Sequence, residues 1–575
     1  MAVEEKVLGR FLGDESFPIE WASEDEKELL WIFDDLHVPQ PVSPMFFDIG
    51  GWWLTCDHMF RRFATPFASD WIAKKINGYV YAAPVPADSR LRVDSTEYNA
   101  RYGCRVPRDP AYAAKMGPYL NTVLPVYAQN FLTWWKQRFR PEMDRNFAYL
   151  DSYDHSTRSL GELAIHLEDA IDIHDRHWKI HWMLNFSQFS ATMNLRGVIQ
   201  KLRGTIDENL FGRLQSSVED RNWDSIEALW TMKNRAAEIP ALREAFTGDT
   251  ARDVLLRLQR SDEGRRFITE SLEPYQREFG NKSIWSHEFV FPTWKENPGP
   301  IIEAVRGYLQ TDYDYPKTIE AVRKDLAQAV EQVKEGLRGE QLAELQAALD
   351  LALNMSPLTP DHHFYIDQGT NARLRLVLVG IGDRLVEDGV VDDREDVVFL
   401  LYNELRELLG NPSAFDARSL VSRRRDEREA AFEIRPRDWV GTATQELLDF
   451  PYNSLWGFPE KFNRQYAPAG EIRGLAASPG VVEGPARYVR TLEDFDEVRQ
   501  GEVLVCQMTN PAWVVLFTKI VGLVTDAGGT ASHPAVVSRE FGIPAVVGTS
   551  VATQRIATGD RVRVNGSTGV VELLA

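Results

Sequence analysis

A single imidazole, His533, follows two glycines and a run of small hydroxylated residues in the stretch GLVTDAGGTASHPAVVSREFGIPAVVG, Gly522 to Gly548. Gly528 and Gly529 permit a tight backbone path with positive φ, the kind of turn in which successive N–H groups converge on an anion. Ser532 can cap the segment that follows, and Pro534 suits a first-turn position. The pattern PAVVSREFG closes at Gly542 before Ile543-Pro544, so the spacing predicts a helix beginning at His533. A helix N-terminus favours negative charge by about 0.3–1 kcal/mol when exposed, and its N–H groups bind phosphate oxygens. The same helix end disfavours imidazolium, which leaves the ring neutral and nucleophilic near neutral pH. A phosphoryl group on this ring would be stabilised, with Thr530 and Ser532 offering hydroxyls. The competing account is a histidine near a helix cap that does no chemistry.

Four more of the eleven histidines lie close together in HLEDAIDIHDRHWKIHW. At 100° per residue, His166, His174, His177 and His181 fall within an arc of about 80° on one helix face. Three arrangements satisfy this stripe. It can face a pocket for a phosphoryl acceptor, with His177 or His181 as base and Trp178 and Trp182 as apolar wall. His177 and His181, at i and i+4, can hold a metal, although no Glu completes an HExxH pattern. The rings can also be half-buried and bonded to backbone and neighbouring acids. A second cluster, DHHFYIDQ, carries His362, His363 and Asp367 and is followed by Arg373 and Arg375. His363 is a candidate base there, and Arg373 could meet phosphate oxygens. Capping by Asp361 and ordinary surface charge account for this cluster nearly as well. No resident metal is assigned to the chain.

The elements that must position these groups differ along the chain. From about Leu120 to Leu409 the texture is helical, with few glycines and long charged stretches. Thr318–Leu337 and Glu340–Met355 read as a helical hairpin stopped by Ser356-Pro357. Residues 1–115 are less regular, with turn signals in VPQPVSP and AAPVPADS, and read as mixed loop and helix. Near residue 470 a stretch rich in Pro, Gly and Ala gives way to short β-rich runs such as EVLVCQM and RVRVNGSTGVVELL. The expected layout is multidomain: a large, mainly α-helical substrate-binding body over 1–465, a linker at 466–475, and a C-terminal β/α module over 476–575 able to move on that linker. GIGDRL, from Gly380, lacks the last glycine of a dinucleotide fingerprint and reads as a helix with small packing residues.

Length and composition agree with this layout. A chain of 575 residues is too long for one core. Its 65 basic and 85 acidic residues give a formal charge of −20, which argues against nucleic acid or an anionic membrane as partner. Cys56, Cys104 and Cys506 match no metal spacing and leave one thiol over in any pairing, as expected in a reducing cytoplasm. There is no signal-like N-terminus and no apolar run near the roughly 20 residues of a membrane span.

Taken together, TDAGGTASHPAVVSREFGIPAVVG resembles the phosphohistidine signature of the swivelling domain in the phosphoenolpyruvate synthase and pyruvate phosphate dikinase family. ASPGVVEGPARYVRTLEDFDEVRQGEVLVCQMTNPAWVVLF is similar to the strands that precede it, so the likeness covers about Ile472 to Ala575. It implies a C-terminal β/β/α swivelling phosphohistidine domain. In it His533 accepts and donates the phosphoryl group, and Gly528, Gly529, Thr530 and Ser532 shape the phosphate site. Pro534 departs from the more usual Ala or Gly. The body is more loosely similar to the substrate portions of rifampin phosphotransferase and phenylphosphate synthase. PVSPM, FGNKSIWSHEFVFPTWKENPGPI, the stretch Asp361–Leu405 and WVGTATQELLDFPYNSLWGFPEKF carry this likeness. Phenylphosphate synthase is the closer in layout, because its ATP-binding portion is a separate polypeptide.

The resemblance implies that a separate ATP-grasp-type subunit, using ATP and Mg²⁺, charges His533, and that no cofactor is tightly bound in this chain. The acceptor it implies is a phenolic or similar hydroxylated small molecule. Two alternatives are an antibiotic phosphotransferase component and a phosphocarrier that relays phosphate to another protein.

Overall fold

A computed structural model describes residues 7–65, 68–86, 110–311, 313–448, 453, 462, 471–490, 493–509, 511–529 and 532–574. The chain forms two compact units, each assembled from distant stretches. The first comprises Met1–Ala191, Trp285–Phe291 and Tyr365–Ser454, and the second Thr192–Ile284, Pro292–Phe364 and Leu455–Ala575.

In the first unit, strands β1 (Val7–Phe11), β2 (Leu30–Phe33), β3 (Ala68–Ile76), β4 (Tyr79–Pro86) and β5 (Trp439–Thr444) form an antiparallel sheet of order β1-β5-β2-β4-β3. This corrects the reading of the N-terminal region as loop and helix. The β3–β4 hairpin turns on Asn77 (φ 51°) and Gly78 (φ 88°), the two successive positive-φ residues of a type I′ connection. Trp31, Phe33, Ile72, Tyr81 and Val440 bury one face of the sheet. The same unit also holds helices Pro110–Trp134, Arg140–Asp151 and Gly369–Glu387, and helix Leu160–Arg203 begins in it.

GIGDRL lies in helix Gly369–Glu387. A Cβ on Gly380 would approach the His155 ring to 2.7 Å, and one on Gly382 the Arg394 carbonyl oxygen to 2.0 Å. Both glycines therefore serve close packing.

The second unit combines helices with an eight-stranded sheet. Asp220 starts helix Arg221–Glu238 by accepting from Asn222 N at 2.8 Å, and Asp314 starts helix Tyr315–Lys334 by accepting from Lys317 N at 3.2 Å. Tyr315–Lys334 and Gly339–Met355 form the expected helical pair. The sheet consists of β6 (Glu471–Arg473), β7 (Leu475–Ser478), β8 (Val481–Tyr488), β9 (Val503–Cys506), β10 (Gly522–Thr525), β11 (Ala545–Val547), β12 (Arg561–Asn565) and β13 (Val570–Leu574), in the order β6-β13-β12-β8-β9-β10-β11-β7. Its first strand begins at Glu471, inside the stretch read as linker; residues 466–470 lie outside the described residues. The Trp513 indole N–H donates to the Ile284 carbonyl at 3.1 Å, and Phe541 lies parallel to Tyr313, so within this unit the sheet packs on helical neighbours. No helix among the described residues is long and apolar enough to cross a membrane.

Candidate functional site

Strands β9, β10 and β11 run parallel, and their pairing aims the end of β10 into the glycine turn. Buried Asp526 fixes the loop that follows. Its carboxylate accepts from Thr549 Oγ1 at 2.7 Å and from the amides of Ala552 at 2.6 Å and Thr553 at 3.4 Å, and it also bonds the Thr553 hydroxyl. Burial nevertheless pushes its pKa upward, against these donors.

Gly528 has φ +112°, and a Cβ there would come within 2.7 Å of Ser532 Oγ. Ser532 occupies the N-cap position with extended backbone, and its hydroxyl donates to the Gly529 carbonyl at 2.7 Å. The expected side-chain cap is therefore absent, because the glycine turn has taken the hydroxyl. His533 is the first residue of helix His533–Phe541, Pro534 follows in the first turn, and left-handed Gly542 (φ 65°) ends the helix. Thr530 lies outside the described residues.

All four histidines of the long helix are buried. The His166 ring stacks on Tyr153, and burial, reinforced by His155, depresses its pKa to about 4. His174 Nε2 bonds Asn371 Oδ1 at 3.0 Å. His177 pairs through Nδ1 with Thr370 Oγ1 at 2.8 Å and through Nε2 with Asn146 Nδ2 at 3.0 Å. With both nitrogens engaged, and a pKa lowered to about 3 by burial and then by nearby cations, His177 is a weak base held in one orientation. His181 differs, since its Nε2 lies 3.9 Å from Asp367 Oδ1 and its ring sits between Trp178 and Trp182, with centroids 4.6 and 5.0 Å away.

Trp178 and Trp182 are buried, and their indole N–H groups find no hydrogen-bond partner among the described residues. Arg373 grips both oxygens of Asp151, at 2.9 and 2.7 Å, donates to the Gly369 carbonyl and lies over the Phe147 ring, so each of its three nitrogens is already engaged. In the second unit, His363 is partly exposed beside the ring of His362, whose Nδ1 bonds the Leu358 carbonyl.

Two residues near His181 in the fold had no motif to announce them. His37, three residues after Asp34, pairs with its carboxylate at 2.8 Å, and His287 lies with its ring centroid 5.3 Å from that of His37 and 5.9 Å from that of Trp178. The i, i+3 spacing of an acid and a histidine just after a strand was the one local signal.

Residues 498–569 match the profile of the PEP-utilising enzyme mobile domain, and residues 181–358 that of the rifampicin phosphotransferase fourth domain. The chain is 31% identical over 400 residues to an uncharacterized phosphotransferase of Bacillus subtilis, covering 69% of this chain and 47% of that protein. It is 29% identical to the rifampicin phosphotransferase of the same organism, over 53% of this chain and 34% of the relative. To a probable phosphoenolpyruvate synthase of Staphylothermus marinus it is 53% identical over 102 residues, 17% of this chain and 12% of the relative. It thus spans less than half the length of each of these relatives. The glycine turn, the helix that opens on a histidine and the parallel strands beneath them define a mobile domain of the PEP-utilising type. The chain carries the mobile domain of PEP-utilising enzymes at residues 498–569 and, beyond it, resembles rifampicin phosphotransferase.

Proposed function

We propose that this chain is the carrier and acceptor-binding part of a phosphotransferase. His533 takes a phosphoryl group from an ATP-grasp-type component, which uses ATP and Mg²⁺, and passes it to the hydroxyl of a small molecule. The observation that carries this reading is the place of His533, first in its helix directly after the Gly528-Gly529 turn. There the helix amides and the dipole favour a bound phosphate, with Gly528, Gly529 and Ser532 beside it. The domain match over residues 498–569 supports the same role.

The acceptor is a phenol or a related hydroxylated ring. The buried indoles of Trp178 and Trp182, with His181 between them, suit a flat apolar body and a polar edge. The match to the rifampicin phosphotransferase fourth domain favours a second reading, an antibiotic-type acceptor. Incubation with ATP, Mg²⁺ and an ATP-grasp partner should place acid-labile phosphate on His533, and His533→Ala should abolish it. A panel of phenols and macrocyclic antibiotics then separates the two acceptor classes. Phosphate reaching an acceptor in the His533→Ala protein would refute the relay, and phosphate found on a second protein would mark a phosphocarrier instead.

A further inference from the structure

The loop after β2 builds an acid–imidazole dyad. Asp34 is held by its own amide, which donates to the Val80 carbonyl at 3.0 Å, and its carboxylate is 1% exposed. Oδ2 accepts the Trp52 indole N–H at 2.6 Å, while Oδ1 accepts both the His37 amide at 3.1 Å and His37 Nδ1 at 2.8 Å. With the Nδ1 proton committed to the carboxylate, the lone pair of neutral His37 is on Nε2. The His37 side chain keeps 27% of its surface exposed, so a substrate can reach it. The ring also sits in the company of His287, within a chain of rings that runs through Trp178 to His181 and Trp182 and returns to Trp52. The buried N–H groups of Trp178 and Trp182, which have no hydrogen-bond partner among the described residues, offer donors to a ligand in the same region.

Resting on the phosphotransferase reading above, we infer that the Asp34–His37 dyad is the proton acceptor for the acceptor hydroxyl, in a site walled by Trp52, Trp178 and Trp182. In the step, the P–N bond to the His533 ring breaks and a P–O bond to the acceptor forms. The hydroxyl proton passes to His37 Nε2, and the leaving ring departs as neutral imidazole, its other nitrogen already protonated. Asp34 steadies the resulting imidazolium. Burial alone would push the His37 pKa down, but the charge and hydrogen bond of Asp34, with further contributions from Asp367 and Asp35, raise it above its ordinary 6.5. The titratable groups around the ring include Asp34, Asp35, Asp367 and His287.

The test loads the full chain with phosphoramidate, which phosphorylates histidine without a partner, and uses His533→Ala as background. Discharge is followed with 2-naphthol, a set of simple phenols and water as acceptors. His37→Gln should load normally but discharge about 10²- to 10⁴-fold more slowly. In Asp34→Asn, the acid limb of the rate profile, centred above pH 6.5 in the parent, should move to lower pH. A merely structural dyad would not move that limb. If His37→Gln discharges to phenols and water at the parental rate, the dyad assignment is wrong and the carrier reading stands. If the parent holds no more acid-labile phosphate than His533→Ala, the carrier reading fails and the dyad assignment fails with it.

Discussion

Replacing Gly528 by alanine tests whether the glycine turn sets the phosphate site. Two costs follow from its geometry. At φ +112° an L-residue is strained, by about 1–3 kcal/mol for a backbone of this kind. The new Cβ would also stand 2.7 Å from Ser532 Oγ, so the hydroxyl must leave its bond to the Gly529 carbonyl, a loss of about 1 kcal/mol. Together they predict about 2–4 kcal/mol, or a fall in melting temperature on the order of 10 °C. Acid-labile loading of His533 should fall in parallel, because the helix start moves with the turn. Gly501 is the matched control. It also has positive φ, +85°, but a Cβ there meets nothing within 4 Å, so Gly501→Ala should show backbone strain alone and load normally. Thermal unfolding and phosphoramidate loading of both variants decide the matter. The reasoning fails if Gly528→Ala is no less stable than Gly501→Ala and carries as much phosphate.

Further outcomes follow from other contacts. Gly382→Ala drives a methyl into the Arg394 carbonyl, 2.0 Å away, and should cost about 1–3 kcal/mol in denaturant unfolding without changing the loading of His533. Lys282 is buried, bonds Ser225 Oγ at 2.5 Å, and has a pKa lowered to about 7, chiefly by burial. Between that pH and its ordinary 10.5 the unfolded chain binds the extra proton, so the stability of the parent relative to Lys282→Met should rise with pH across this window. The Asp34–His37 pair has the opposite limits. Its contribution should fade as pH rises through the raised pKa of His37 and again as pH falls through the lowered pKa of Asp34, a difference that unfolding of His37→Gln against the parent would reveal. Arg373→Lys loses the two-pronged grip on Asp151 and should lower stability while leaving phosphate loading intact; lost loading would show that Arg373 serves the phosphate instead.

The helix that starts at His533 was largely legible because its signals are local. Glycines that allow positive φ, a proline in the first turn and a left-handed glycine stop act within a few residues, and the helix His533–Phe541 begins and ends where they require. The Asn77-Gly78 turn was equally local, lying between KKI and YVY, yet the prolines of VPQPVSP and AAPVPADS drew the reading toward loop. Ser532 fell between these cases. Its residue type fitted a cap, but the carbonyl of Gly529 competes for the same hydroxyl, and only the folded turn brings the two together.

By itself the sequence determined the glycine turn that precedes His533 and the helical stripe of four histidines, because 3.6-residue periodicity and turn chemistry are properties of neighbouring residues. Tertiary structure alone decided what those histidines touch. His177 is tied down by Asn146 and Thr370, and Arg373 is claimed by Asp151. His37 is joined by His287, 250 positions away along the chain. Burial sets which rings can hold a proton and packing sets which lie within reach, and both depend on partners that no local spacing encodes.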